Sequence, residues 1–193
     1  CAAALECSPR VYKYIPGDLR TDAVKETAAS QWYHLVREDP ERLDSVPGSL
    51  MGRVAEKLVT DSVDFFEMLP ESAKTRELTL LAVRNGVSLR FVPERHLSAE
   101  LIRIAVEAWP LNLEFVPGEY KTPQMCARAV EHDGACLAFV PESFITRELC
   151  LSAVTGVGGA LASVPVKFRD REICLTAVKN DVPLGQAWKS VPE

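Results

Sequence analysis

An apolar residue followed by proline recurs along the chain, and its spacing constrains the fold more than any other feature. The pairs are Ile15-Pro16, Val46-Pro47, Leu69-Pro70, Val92-Pro93, Val116-Pro117, Val140-Pro141, Val164-Pro165 and Val191-Pro192. Their prolines lie 31, 23, 23, 24, 24, 24 and 27 residues apart. A period near 24 held through five consecutive intervals marks a tandem repeat. In such a chain each unit buries its apolar face against its neighbours.

Counting from each proline as zero, position five carries Thr75, Ser98, Thr122, Thr146 and Asp170, all of which cap helices through a side-chain oxygen. Two residues on stand Glu77, Glu100, Gln124, Glu148 and Glu172, mostly carboxylates, which the helix macrodipole favours in a first turn. Position eight is Leu78, Leu101, Met125, Leu149 or Ile173; position twelve is always alanine and position thirteen always valine. Together with position nine these make one stripe of an α-helix. The unvarying alanine (Ala82, Ala105, Ala129, Ala153, Ala177) predicts close approach by a neighbouring backbone. Gly86, Gly134 and the Gly156/Gly158/Gly159 cluster are expected to stop the helices after about ten residues. Helices so short need tertiary support.

Apolar runs follow, Leu89-Arg90-Phe91, Leu113-Glu114-Phe115 and Leu137-Ala138-Phe139. As strands they would build a leucine-rich horseshoe, but each run ends in a proline, which removes a donor from any ladder. A short helix of 3₁₀ character around the proline fits better, with Ala73, His96, Tyr120, Phe144 and Phe168 packing inward. The pattern V-P-E-x-x-x-T-x-E-L-x-L-x-A-V, with glycine and L-x-F before the next proline, resembles the short tandem repeats grouped as DUF4116, found in bacterial and some protist proteins. More loosely it is similar to the leucine-rich-repeat-variant solenoids of alternating α and 3₁₀ helices. The resemblance covers roughly 15–193 and is strongest over 69–178. It departs at Gly52 and Val54, where a cap and an acid belong, and at Val166. It implies a helical solenoid and supplies no catalytic residues.

The expected fold is therefore all-α: an α-solenoid of about seven repeats of roughly 24 residues, each a helix of about ten residues plus a short helix. One elongated domain spans 1–193, with a degenerate first copy and an insertion or cap in 1–45 and regular repeats over 46–190. The insertion, Trp32 to Asp44, reads either as a cap whose aromatics close the core or as a binding loop. A first residue that is not methionine, and a last one just inside another Val-Pro-Glu, suggest a piece of a longer protein.

A net charge of −5 and a pI near 5.4 argue against a nucleic-acid partner, which wants a basic face. No run of 18 apolar residues offers a membrane span. Cys126, Cys150 and Cys174 share position nine with Thr79 and Ile102. Stacked helices about 8–10 Å apart hold equivalent thiols too far apart for a disulfide or a shared zinc, so these cysteines are expected as core residues. Cys1 and Cys7 are left to pair or react. Free core thiols point to a cytoplasm or another reducing compartment, a host cell's included. Three acids, Asp61, Asp64 and Glu67, do not form a calcium loop. His34, His96 and His132 fall at unrelated positions, and no catalytic, cofactor or metal site is expected.

What varies is the outer stripe at positions 10, 11 and 14. It supplies the candidate partner-binding residues Arg84, Arg103, Glu107, Arg128, Glu131 and Lys179, joined by Trp32 and Tyr33 of the insertion. The functional expectation is a protein–protein interaction scaffold within a larger, bacterial, effector-like polypeptide. The alternatives are a substrate-positioning region of an enzyme whose catalytic domain lies outside these residues, and a structural spacer.

Overall fold

The computed structural model describes residues 8–181. Among them every regular element is an α-helix or a 3₁₀ turn, and no strand is formed. The chain divides into two compact units, Cys1–Val87 with Phe91–His96, and Ser88–Arg90 with Leu97–Glu193.

In the second unit the repeat is plainest. Its α-helices are α5 (Ala99–Ala108), α6 (Pro123–His132), α7 (Arg147–Gly156) and α8 (Arg171–Asn180). The position-five residue caps each one: Ser98, Thr122, Thr146 and Asp170 accept from the backbone N–H of Leu101, Met125, Leu149 and Ile173. Two 3₁₀ turns, rather than one, lie between successive helices, for example Gly134–Phe139 and Glu142–Phe144 between α6 and α7. The proline separates them. A residue before proline is pushed out of the helical region, and Val140 is accordingly extended and ends the first turn. Pro141, also extended, cannot donate, yet its carbonyl accepts from Phe144 N–H at 2.9 Å and so starts the second. The same bond recurs at Pro70, Pro93, Pro117 and Pro165.

Buried side chains follow the expected stripe: Ile102, Cys126, Cys150, Ala105, Ala129, Ala153, Ala177, Val130 and Val154 are almost wholly enclosed. Leu113, Leu137 and Leu161 come in from the first 3₁₀ turns. The stripe is imperfect. Met125 and Leu149 are half-buried, and Val178 is 47% exposed. The position-three aromatics Tyr120, Phe144 and Phe168 are also only half-buried, so they flank the core rather than fill it.

The glycines do something other than expected. Among the described residues only Gly86 has a positive φ (97°), and it ends its helix as a helix-stop glycine should, with N–H bonds from Gly86 to Val83 O and from Val87 to Ala82 O. Helices α5, α6 and α7 instead end on an extended residue. Trp109, Asp133 and Val157 donate back to the position-twelve carbonyls of Ala105, Ala129 and Ala153, each at 2.9 Å. Gly134 is needed for contact: a Cβ there would overlap the Ala153 carbonyl of the next helix, 2.9 Å from its carbon. Gly158 meets Ala177 in the same way. The small residue on each side lets backbone rest on backbone. In the preceding copy Pro110 holds the glycine position, and Asn112, two residues on, is buried, accepting from Leu89 N–H (2.9 Å) and donating to Ala105 O (3.0 Å).

The first unit is less regular. Its helices are α1 (Asp22–Glu38), α2 (Gly48–Asp61), α3 (Asp64–Met68) and α4 (Arg76–Arg84). Helix α1, capped by Thr21, has 17 residues and runs straight through Trp32. The inserted segment expected from 32 is thus mostly helix, followed by a 3₁₀ turn at Pro40–Ser45. Helix α2 starts directly after Pro47 with no cap, which accounts for Gly52 and Val54 where a cap and an acid were expected. Leu50, Val54, Leu58, Val59, Phe66, Val36 and Trp32 form the core of this unit.

Candidate functional site

Of the residues expected on a partner surface, Trp32 must be withdrawn. It is 3% exposed and part of the core, because the α-helical period carries it to the inner face of α1. Its indole Nε1, like Tyr12 Oη and Gln31 Oε1, is buried with no hydrogen-bond partner among the described residues. Tyr33, next along α1, is half-buried and meets His34 edge-on with ring centres 4.9 Å apart.

The charged candidates are all exposed. Three are brought together in the second unit. Arg103 forks onto Glu107 within α5 (3.0 and 2.8 Å), and Arg128 of α6 reaches the same carboxylate at 3.7 Å. Glu131 of α6 and Lys179 of α8 stand apart from that cluster, and Arg84 ends α4 in the first unit. Cys126, Cys136 and Cys150 are fully buried free thiols, and Cys174 nearly so. Burial pushes the Cys136 thiol up to about 12. Cys1 and Cys7 lie outside the described residues. Among the described residues no group of three or more His, Cys, Asp or Glu is placed to hold a metal ion.

Two features were not anticipated. The first is a basic side chain at position four that ties turns together by their carbonyls. Arg20 Nε donates to Ile15 O (2.9 Å), Lys121 Nζ to Phe139 O (2.8 Å) and Arg169 Nε to Val164 O (2.8 Å). Lys74, only 7% exposed, instead pairs with Glu71 at 3.0 Å and lies 5.4 Å over the Phe66 ring. Arg95 reaches Glu71 too, and His96 Nε2 sits 2.6 Å from Lys74 O. Hydrogen bonds from Lys74 first, then Arg95, hold the Glu71 carboxyl below the usual range. Alternate basic residues at one repeat position were the available signal.

The second is a pair of grooves in the first unit. An open groove of about 930 Å³ runs between α1 and α2, lined by Glu26, Ser30, Tyr33, His34, Arg53 and Lys57 among others. Its cations are already matched. Arg53 pairs with Asp22 (2.8 Å) and Glu26 (3.1 Å) and Lys57 with Glu26 (2.7 Å), while the lining Asp61 pairs with Arg37 (3.2 Å), which is not itself in the lining. Lys57, then Arg53, hold Glu26 below its ordinary carboxylate value. A smaller groove of about 280 Å³ lies between α2 and α4, lined by Gly52, Glu56, Ala73, Thr75, Glu77, Leu78 and Leu81. Reading an insertion, cap or loop, from residue 32 hid the first groove. Once α1 extends to Glu38, Glu26, Ser30, Tyr33 and Arg37 share one face at helical spacing.

Comparison of the chain with protein-family models, curated proteins and solved structures found no match.

Proposed function

We propose that this chain is a protein–protein interaction scaffold, non-catalytic in these residues, built as an α-solenoid of about seven 24-residue repeats that are DUF4116-like. The observation that carries the reading is the division of labour along each helix. Positions 9 and 12 are buried in every copy from α4 to α8 and chemically conservative: threonine, isoleucine or cysteine, then alanine. Position 14 is exposed in every copy, and there the charge changes freely: Arg84, Glu107, Glu131, Thr155, Lys179. A frame repeated within narrow limits beneath a surface that changes sign is suited to recognising another polypeptide by complementary charge. Among the described residues no helix is long and apolar enough to cross a membrane, and the overall charge of −5 is unsuited to a phosphate backbone. A reducing compartment, a host cytoplasm among them, suits the four buried free thiols.

The test is capture and reciprocal co-purification of a binding partner with the native chain and with Arg103→Glu/Arg128→Glu. Loss of a specific partner in the variant, with helix content retained, is the expected result. Binding indifferent to these reversals, and to reversal of Arg84, Glu131 and Lys179, sinks the charged stripe as the interface.

A further inference from the structure

Gly52 has no structural reason to be glycine. It sits inside α2, where glycine weakens a helix relative to alanine. Its φ is not positive, and a Cβ added there would meet nothing within 4 Å. Neither conformation nor packing therefore asks for the missing side chain, in contrast to Gly134 and Gly158. The missing side chain leaves open the groove between α2 and α4. Its remaining walls are the apolar Ala73, Leu78 and Leu81, the capping residue Thr75, and two exposed carboxylates, Glu56 and Glu77. Neither carboxylate has an ion-pair partner among the described residues, whereas Arg53, Lys57 and Arg37 on the neighbouring helices each have one. Glu77 lies in the first turn of α4, whose dipole takes up part of its charge. Glu56 lies in the second half of α2 and has no such compensation.

We propose that this groove is a receptor site for one basic side chain, arginine or lysine, of a partner polypeptide. The aliphatic stem lies along Gly52, Leu78 and Leu81, and the cation sits between Glu56 and Glu77. Size supports a single side chain: about 280 Å³ falls below the roughly 300–1,000 Å³ usual for small-molecule pockets. Sign supports a cation, because both charges on the walls are negative and unmatched. A long basic side chain satisfies both walls at once, since its stem is apolar and its head charged. The inference rests on the scaffold reading and adds to it the chemistry of the partner.

The probe is acetyl-arginine amide, titrated into the isotope-labelled protein and followed by amide chemical shifts. Acetyl-citrulline amide, nearly the same shape without the charge, is the control. Shifts gathered at Gly52, Glu56, Glu77 and Leu81 are expected with arginine and not with citrulline. Gly52→Leu, whose Cβ enters open space, puts side-chain volume into the groove and is expected to weaken binding at least tenfold. Glu56→Gln is expected to weaken it several-fold, and Glu41→Gln, which makes the same change in net charge elsewhere, to leave it unaltered. Shifts scattered over acidic surface residues, an equal response to citrulline, or binding indifferent to both Gly52→Leu and Glu56→Gln overturn the proposal. If a partner is captured through Arg103 and Arg128 while arginine amide gives no response, the groove fails and the scaffold stands. If arginine amide binds as described and no polypeptide partner is captured, the scaffold reading fails and the groove remains a cation site.

Discussion

At the scale of single residues, this fold depends on places where a side chain is absent or indispensable. Gly134 and Gly158 rest against Ala153 and Ala177, so Gly134→Ala is expected to force its turn away from α7 at a cost of about 1–3 kcal/mol. Gly118→Ala, at a glycine with open space around it, is expected to change stability by no more than about 0.5 kcal/mol. Equal effects in urea titrations would mean the close approach is not sustained. Asn112→Ala strands a buried N–H at Leu89 and removes one of the two bonds to the Ala105 carbonyl, which keeps that from Trp109 N–H; it is expected to cost about 1–3 kcal/mol in the same titration. The Cys136 thiol titrates near 12 because of its burial, against an ordinary value of 9.0. Between those values the folded chain holds a proton that the unfolded chain has lost, so stability falls as pH rises through that window. Cys136→Ala, which introduces the residue that Ala160 already supplies at the equivalent position, is expected to reduce that alkaline slope. Burial also raises the Cys126 and Cys150 thiols, so part of the slope remains.

At the scale of elements, short helices are held at their starts. With only ten residues, α7 has little propensity in reserve, and its Thr146 cap is worth about 1 kcal/mol. Thr146→Ala is expected to cost that amount, and Thr146→Ser little, when measured by thermal unfolding. Asp170 caps α8 and also binds Arg147, whose Nε lies 2.7 Å away. Its carboxyl is held below the usual range by the Ile173 N–H first and by Arg147 second. A depressed carboxyl stabilises the fold above its unfolded-state value and loses that contribution as pH falls through the folded one. Asp170→Thr keeps a cap without the charge and is expected to flatten the acid limb of the pH–stability curve. An unchanged acid limb would assign that dependence to other carboxylates.

At the scale of the whole molecule, two compact units share one local grammar and apply it with different strictness. In the second unit helix, 3₁₀ turn, proline and second 3₁₀ turn succeed one another with little change from copy to copy. The first unit carries the helix of its first copy on into the insertion as the longer α1, and its α1–α2 surface is knit by the ion pairs of Asp22, Glu26, Arg53 and Lys57. Exposed pairs of this kind are worth well under about 1 kcal/mol each, so the apolar core carries the stability. Far-ultraviolet circular dichroism is expected to show helix with no strand contribution. A substantial β signal from the folded chain would be incompatible with the fold of the described residues.

The sequence by itself determined what is local and periodic. Proline at a 24-residue spacing, a capping oxygen five residues later and the stripe through alanine and valine sufficed for helix identity, helix starts and most of the core, because caps and 3.6-residue periodicity act within one helix. Buried cysteines at position nine were legible for the same reason. Tertiary structure decided whatever depends on a neighbouring copy. Gly134 and Gly158 looked like helix stops, and only the approach of Ala153 and Ala177 shows that they make room for a backbone. Trp32 opened a segment that read either as a cap whose aromatics close the core or as a binding loop. Continuing α1 turns it inward and puts Tyr33 beside a groove. The groove at Gly52 was visible only as a departure from the repeat. A residue absent from a pattern acquires meaning once the space left by its side chain can be seen, and that space is bounded by a helix more than twenty residues further along the chain.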